Sequence, residues 1–306
     1  MNCSCAMVSM PCPEQTPLTP AERRARREAR RTAQRAANVG RGAKMHEARL
    51  AWERAPELRR ANNEAGIGPY HIGCSGWYYW HWQGGFYPAE LPRARWFRFY
   101  SEQFDTVELN APFYSWPTIA TVRGWLKQAE GRRFIYTVKV CELITHVKRF
   151  TGTKTLVRDF GHIADLLGDR MGCFLFQLPP SFRYTAPRLR RIAEQLDPTR
   201  RNVVEFRHAS WWNEKVFTTF RERGIIFCSC SGPRLPDELV RTADEIYLRF
   251  HGPHRWYRHD YTSDELAEWA RRIRASGVRR VWAYFNNDRD CYAISNAREL
   301  RRQLRA

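Results

Sequence analysis

The sequence predicts an α/β protein that folds as a (β/α)₈ barrel behind a basic N-terminal extension. Eight short apolar runs follow one another between residues 70 and 288, and segments with helical spacing of apolar residues separate them. This alternation is what a barrel of eight parallel strands requires. A doubly wound open sheet is the alternative, but it usually has fewer strands. The "GCSGW" turn also lacks the G-x-G-x-x-G spacing of a dinucleotide site.

The predicted elements follow from local patterns. The strands lie within residues 70–77, 104–114, 133–140, 172–182, 202–212, 224–232, 245–253 and 279–288. Between them, "TLVRDFGHIADLLG" has helical spacing and ends at Gly168, which is a helix stop signal. "TSDELAEWARRIRASG" begins with Thr262 or Ser263 before acidic residues and ends at Gly277, so both ends of a helix are marked. "NAREL" begins a last basic helix.

Residues 1–68 differ in composition from residues 69–306, which form the predicted barrel domain. The segment "AERRARREARRTAQRAANVGRGAK" has almost no apolar periodicity, and this predicts an extension that is flexible or partly helical. One interpretation is an arm that docks on nucleic acid. The other, which the composition favours, is a poorly ordered extension without a partner.

Charge and hydropathy limit the classes of protein to consider. The formal net charge is +19 and the isoelectric point is near 10, a balance that attracts nucleic acid, acidic lipid surfaces or phosphorylated ligands. An arginine-rich composition without functional meaning explains the charge equally well. No apolar run reaches the roughly 18 residues of a membrane helix, and the N-terminus lacks the long apolar stretch after a basic start that predicts a secretory signal. We therefore expect a cytoplasmic protein without a membrane partner.

The nine cysteines do not predict a disulfide framework. Their number is odd and the chain is long, so reduced cysteines are the better interpretation, with Cys173 and Cys228 lying in apolar runs. Cys3, Cys5 and Cys12 lie close together but lack paired C-x-x-C spacing. We therefore expect no zinc site there.

Polar side chains recur near the downstream end of nearly every predicted strand. They are Ser75, Glu108, Asn110, Lys139, Gln177, Glu205, Arg207, Arg249, His251, Tyr284 and Asn286. Residues two apart on a strand, such as Glu205 and Arg207, share one face. Barrel enzymes assemble their sites from these strand ends, so we expect a polar cup that water enters. The alternative is a closed salt-bridge network that fills the mouth of the barrel.

Aromatic and histidine side chains near the strand ends are further candidates. Trp77 follows a glycine at a strand end and is a candidate for stacking on a ligand. His208 and His251 are either ligand groups or ordinary hydrogen-bonded histidines. We expect the aromatic residues Tyr184, Trp211 and Trp212 to pack against the protein rather than bind ligand.

Several motifs together resemble the YecE-like family, also called domain of unknown function 72. They are "IGCSGWYYWHWQGGFYP", "FDTVELNAPFY", "VKVCELITH", "LFQLPPSF", "VEFRHASWW", "LRFHGP" and "YFNND…AISNARELR", which together span about residues 70–303. The resemblance implies a (β/α)₈ barrel and no established activity. The motif residues carried over are Ser75, Gly76, Trp77, Glu108, Asn110, Phe113, Tyr114, Lys139, His146, Gln177, Pro179, Glu205, Arg207, His208, His251, Gly252, Asn286 and Asn287. The first 68 residues lie outside the family domain, and "CSC" replaces the usual acidic end of the sixth strand.

The charges of the cup predict an anionic ligand. Lys139, Arg207 and Arg249 outnumber Glu108 and Glu205, and guanidinium groups suit phosphate or carboxylate. We expect an enzyme acting on a sugar- or phosphate-containing substrate, either a hydrolase, a lyase or an isomerase. The residues expected to bind substrate are Ser75, Trp77, Asn110, Tyr114, Gln177, Arg207, His208, Arg249, Asn286 and Asn287.

The expected catalytic residues are Glu108, Lys139, Glu205 and His251. Either glutamate would act as a base, with Lys139 or His251 as the acid or electrophile. Lys139 could alternatively form a Schiff base with a carbonyl substrate, which borohydride trapping would test. A glycosidase ranks low because the separation of the two carboxylates is unknown.

The ring of candidate residues is poor in metal ligands. Amides and cations fill many of its places, so no ligand set is predicted, although one divalent ion could be held. The alternative function is a non-catalytic nucleic-acid-binding module that uses the basic arm and the barrel surface. The expected partner is therefore an anionic small molecule or nucleic acid, and the sequence does not disclose the oligomeric state.

Overall fold

The computed structural model of the protein describes residues 18–55 and 68–305. Its centre is a sheet of eight parallel strands: β1 (Tyr70–Cys74), β2 (Thr106–Leu109), β3 (Ile135–Lys139), β4 (Met171–Gln177), β5 (Asn202–Glu205), β6 (Ile226–Ser231), β7 (Glu245–Phe250) and β8 (Arg280–Phe285). From β2 to β8 each strand pairs with the next one in sequence, and β1 pairs with β8. Seven lie within the predicted runs and β4 begins one residue before its run, at Met171, so the predicted (β/α)₈ barrel is confirmed.

The barrel is nearly closed, and a side chain bridges the seam between β1 and β2. The hydroxyl of Tyr100 accepts a hydrogen bond from the backbone N–H of Cys74 at 2.9 Å and donates one to the carbonyl of Thr106 at 3.0 Å. Gly73 allows the two strands to approach, because a Cβ there would lie 2.5 Å from the Thr106 carbonyl oxygen.

Helices cover the outside of the barrel. They are α1 (Pro20–Arg54), α2 (Trp96–Gln103), α3 (Ala111–Tyr114), α4 (Ile119–Gln128), α5 (Lys154–Leu167), α6 (Ala186–Gln195), α7 (Glu214–Arg223), α8 (Ser263–Ala275) and α9 (Tyr292–Arg305). The predicted stop at Gly168 follows α5, with φ +59°. Thr262 and Glu265 form a reciprocal capping box at the start of α8, so of the two predicted starts Thr262 is the capping residue.

Packed side chains fill the lower interior of the barrel. His71 stacks on Trp282 with ring centroids 4.3 Å apart, and the indole N–H of Trp282 donates to Glu245. Above them, the hydroxyl of Tyr284 bonds to Thr106 at 2.7 Å and Thr137 at 2.9 Å. Tyr284 therefore belongs to the packed interior rather than to the predicted polar layer, which is confined to the C-terminal ends of the strands.

The extension contains one long helix that packs on the barrel. Helix α1 has 35 residues and begins with a capping box between Thr19 and Glu22. Its docked face is polar: Asn38 is fully buried, and the Arg49 guanidinium pairs with Asp159 of α5 at 2.8 Å. The sequence has no apolar periodicity here because ion pairs and amide contacts, instead of leucines, hold the helix.

The predictions of reduced cysteines and of no membrane helix concern the whole chain, of which the structure describes residues 18–55 and 68–305. Cys3, Cys5 and Cys12 lie outside the described residues. Within residues 18–55 and 68–305 no cysteine is paired, and five of the six found there are buried. In the same part of the chain, none of the helices combines the length and the apolar character needed to cross a membrane.

Replacing Asn38 by Ala is expected to lower the free energy of unfolding by about 1–3 kcal/mol. The Asn38 amide donates to the carbonyl of Tyr114 at 2.9 Å, and its oxygen accepts from the buried N–H of Trp116 at 2.9 Å. Alanine is the better helix former, so helix propensity would act in the opposite direction. Urea unfolding measures the change, with the exposed neighbour Val39→Ala as control. Equal effects of the two substitutions would contradict the assigned role of Asn38.

Candidate functional site

One arginine joins carboxylates from opposite sides of the barrel. Arg249, at the end of β7, donates to Glu108 of β2 and to Glu205 of β5, in each case over 2.6 Å. The three side chains are at most 1% exposed. An unpaired charge at such a position would be destabilising by several kcal/mol, so each group requires the others. This network forms the floor of the predicted cup.

Two hydroxyl groups also donate hydrogen bonds to the Glu108 carboxylate. Ser75, at the end of β1, donates to one carboxylate oxygen at 2.7 Å, and Tyr247 of β7 donates to the other at 2.5 Å. Tyr247 was not among the predicted site residues. Its position two residues before Arg249 places it on the same face of β7, and this parity is the signal that could have found it.

Arg207 forms a second cationic group beside Glu205. Its guanidinium pairs with the Glu205 carboxylate and contacts Nε2 of His251 at 2.9 Å, while it lies 4.5 Å over the ring of Trp256. Because the guanidinium donates, the His251 ring accepts at Nε2. Burial, with Arg207 and Arg249 next to it, holds the pKa of His251 well below its usual range, so the imidazole is neutral.

The two arginines also set the ionisation of Glu205. Burial alone would raise the pKa of this carboxyl, but Arg207 and Arg249 outweigh it and hold the pKa well below its usual range. Glu205 is thus a stable carboxylate with both oxygens engaged by guanidinium groups. Asn286, at the end of β8, completes this side of the site, with its amide nitrogen 3.2 Å from Nδ1 of His251.

Lys139, the last residue of β3, differs from the other cations. Its side chain is buried to 8% exposure, and its amine lies 4.2 Å over the ring of Phe113. Among the residues that the structure describes, none forms a hydrogen bond or an ion pair with this amine. Burial, reinforced by Arg249, lowers the pKa of Lys139 to about 7. Lys139 is therefore a mixture of amine and ammonium near neutral pH.

An open cleft lies beside this network. It has a volume of about 660 Å³, and its lining includes Gln177, Arg207 and His208 together with Trp256 and Tyr257. The last two belong to the loop after β7 and were not predicted, because loop position follows from the barrel's closure rather than from strand parity. His208 also accepts from the backbone N–H of Ser210 at 3.1 Å, so it orders the loop after β5.

The remaining predicted residues have separate environments. Asn110 donates to the carbonyl of Ser75 at 3.1 Å and adjoins the network, whereas Trp77 is half-buried and packs edge-on against Phe97. Tyr114 is 58% exposed at the rim. Asn287 is fully buried, and its amide donates to Asn296 and to the backbone of the loop before α8, so the structure does not bring it into the cup.

One group of side chains has the donor types of a metal site. Glu205, Cys228 and Cys230 offer ligand atoms that all lie within 4.8 Å of one another. The two cysteines come from the "CSC" of β6, which replaces an acidic strand end in the resembling family. Burial raises the pKa of Cys228 well above its usual range, and Glu205 is already bound by two guanidinium groups. These conditions oppose a divalent cation.

The fold and this arrangement define a class of protein. It is a (β/α)₈-barrel protein with a polar cup at the C-terminal ends of its strands, where cations and carboxylates from β2, β3, β5 and β7 converge. The sequence model of the family described as "Protein of unknown function DUF72" matches residues 71–306, and the chain belongs to this family. Helix α1 lies outside the matched residues.

Comparisons with individual proteins agree with this assignment. The chain is 23% identical to the UPF0759 protein YunF of Bacillus subtilis over 271 residues, which cover 75% of this chain and 93% of YunF. The crystal structure of the DUF72 family protein TM1631 from Thermotoga maritima is similar, with 26% identity and a TM-score of 0.70, over 78% of this chain and all of the other. A DUF72 protein of Enterococcus faecalis shares the fold at 17% identity, with a TM-score of 0.66, over 78% of this chain and 96% of that protein.

Replacing Lys139 by Met is expected to stabilise the protein by about 1–3 kcal/mol at pH 7. The folded pKa of about 7 lies below the ordinary value of 10.5, so between these values the unfolded chain binds the additional proton. Stability of the natural protein therefore rises with pH across this window, and the burial penalty is fully present below about pH 7. The advantage of the Met variant should shrink towards pH 10.

Urea unfolding at several pH values measures this difference. Lys127→Met, an exposed lysine on α4, is the matched control and should show no such window. A stability difference between K139M and the natural protein that stays constant from pH 6 to pH 10 would show that Lys139 has an ordinary pKa.

Replacing Glu205 by Gln is expected to destabilise the fold by about 3–5 kcal/mol, because Arg207 and Arg249 would lose their shared anionic partner in the buried network. Thermal or urea unfolding measures the loss. The exposed Glu214→Gln is the control and should change stability by less than about 0.5 kcal/mol. An unchanged unfolding midpoint for E205Q would mean that water, rather than ion pairing, stabilises this carboxylate.

Proposed function

We propose that this DUF72 protein is an enzyme acting on an anionic, sugar- or phosphate-containing substrate that binds at the C-terminal ends of the strands. One observation carries the proposal: Lys139 is a buried cation at the end of β3, and no carboxylate of the described residues forms an ion pair with it. A structural lysine in such a place would normally be paired. An anionic substrate supplies the missing partner.

The charge balance of the network supports an anion. The carboxylates Glu108 and Glu205 are matched by Arg249 and Arg207, so protonated Lys139 is the surplus charge of the group. A phosphate or carboxylate bound beside Lys139 favours the ammonium form and raises its pKa again. Binding should therefore take up a proton near neutral pH, and affinity should fall as pH rises above about 7.

The pKa of Lys139 also supports chemistry beyond binding. A group that titrates near neutral pH serves either as a proton donor or as a base or amine nucleophile. Glu108 and Glu205 have their oxygens occupied by arginine and hydroxyl donors, so their proposed role is to hold Arg249 and Arg207 in place. His251, neutral and fully buried, orients Arg207.

Phosphorus-31 NMR with a panel of sugar phosphates tests binding and turnover together. The natural protein is expected to bind ribose 5-phosphate more tightly at pH 6 than at pH 8, with inorganic phosphate as competitor. K139M should weaken binding by about tenfold or more, corresponding to at least 1.4 kcal/mol. K127M is the matched control. Failure of free phosphate to compete, or equal affinities in K139M and the natural protein, would exclude the proposed anion site.

A non-catalytic binding module makes a different prediction for the same experiment. Such a module would bind the phosphate ligands and leave their spectra otherwise unchanged across the panel. If the protein is an enzyme, new phosphorus signals should grow with time in samples with the natural protein and not in samples with K139M. Ligand binding without product signals for any member of the panel would favour the module.

A further inference from the structure

The face of helix α1 that docks on the barrel continues beyond it as a row of arginines. Positions spaced three or four residues apart lie on one side of a helix. Along this face follow Arg24, Arg27, Arg31, Arg35, Asn38, Gly42, Met45 and Arg49. From Arg31 onward these residues touch or lie buried against the barrel domain. Arg24 and Arg27 share their orientation but lie past the last contact.

Ion pairs place this row beside the mouth of the barrel. Glu142, which follows β3 at the C-terminal side of the sheet, pairs with Arg31 at 3.0 Å and with Arg35 at 3.1 Å. At the other end of the helix, Arg49 pairs with Asp159, and Trp52 contacts the ring of His162 on α5. The N-terminal part of α1 therefore points past the C-terminal strand ends, where the cup opens.

The overhanging part of α1 is long and strongly basic. Residues 20–30 precede Arg31, and at 1.5 Å per residue they extend about 16 Å beyond this contact. Residues 20–30 contain five arginines and two glutamates, which gives a net charge of +3. Within residues 18–55 and 68–305, no carboxylate forms an ion pair with Arg23, Arg24 or Arg27. Residues 20–33 are all exposed.

An aromatic side chain lies between this row and the cup. Tyr114 is 58% exposed, and its carbonyl accepts a hydrogen bond from Asn38 of α1 at 2.9 Å. Its ring meets Phe113 edge-on at 4.9 Å, and Phe113 in turn lies under the amine of Lys139. A path therefore runs from the arginines over an exposed aromatic ring to the cup.

We propose that the arginine row of α1, together with Tyr114, binds a single strand of nucleic acid and leads it to the mouth of the barrel. Arginines recognise backbone phosphates, and an exposed tyrosine stacks on an unpaired base. An anionic membrane is the competing partner for such a charge. It would require an apolar face, and alanine is the only hydrophobic residue type between residues 21 and 38.

This inference goes beyond the proposed chemistry and does not depend on it. Binding by α1 requires no turnover, and the arginine substitutions that test it lie on α1, outside the cup. The experiment above and the one below can therefore fail separately.

Fluorescence anisotropy with labelled oligothymidylate of about 20 nucleotides tests the arm on the full chain, in about 50–200 mM salt. Replacing Arg23, Arg24 and Arg27 by Gln is expected to weaken binding by at least tenfold. Three lost phosphate contacts should also lower the slope of log K against log salt by about 2. The matched control replaces three exposed arginines on the outer helices, Arg190, Arg223 and Arg274, by Gln and should change affinity by less than threefold.

Substitutions of Tyr114 distinguish stacking on a single strand from nonspecific electrostatic attraction to phosphates. Tyr114→Ala is expected to weaken binding of the oligothymidylate by about fivefold or more and to leave a duplex of equal length unaffected. Tyr114→Phe keeps the stacking ring and should bind normally. Circular dichroism and thermal unfolding check that each variant is folded; the substituted side chains are exposed.

Three results would overturn the proposal. Unchanged affinity of the triple α1 variant for the oligothymidylate would show that the row contacts no phosphates. An equal loss in the control triple would reduce the effect to overall charge. Loss of binding to phosphatidylserine vesicles in the α1 variant, with oligonucleotide binding intact, would assign the arm to a lipid surface.

Discussion

The bridge that Arg249 forms between Glu108 and Glu205 is the interaction on which the rest of the site depends. Three charged groups from β2, β5 and β7 lie in a dry interior, and none is stable there alone. The strands must therefore hold a common register at their C-terminal ends for the group to form. The bridge restrains that register above the aromatic packing around Trp282, which fills the lower interior of the barrel.

Charge neutrality of this bridge determines how the surrounding groups behave. Because Glu205 also pairs with Arg207, two carboxylates balance two guanidinium groups, and Lys139 is left over. Its amine shares a poorly solvated space with two fixed cations, and this lowers its pKa to about 7. Burial and the same cations lower the pKa of His251 and keep it neutral. The closed network on the floor of the cup thus leaves a titratable charge beside it, on the buried side chain of Lys139.

Helix α1, outside the barrel, is also held by charged and polar contacts. Its docked face uses Asn38 and Arg49 where an ordinary helix uses leucine, so hydrophobic periodicity could not reveal that it packs. The spacing of three and four residues was present in the sequence, but in small and polar residues, and only their partners on the barrel give this spacing meaning. The helix adds positive charge beside the end of the barrel where Lys139 is already the surplus cation.

The sequence by itself determined the elements and their order. Strand composition, the stop at Gly168 and the capping pair of Thr262 and Glu265 each depend only on residues close together in sequence. They can therefore be predicted without knowledge of the tertiary structure. Position near the downstream end of each run likewise placed Glu108, Glu205 and Arg249 at one end of the barrel. Tertiary structure decided which of these groups neutralise one another, that Tyr247 binds Glu108, that Asn287 turns away and that Trp256 covers Arg207. Those outcomes depend on distances between strands and loops far apart in sequence, and no local pattern encodes such distances.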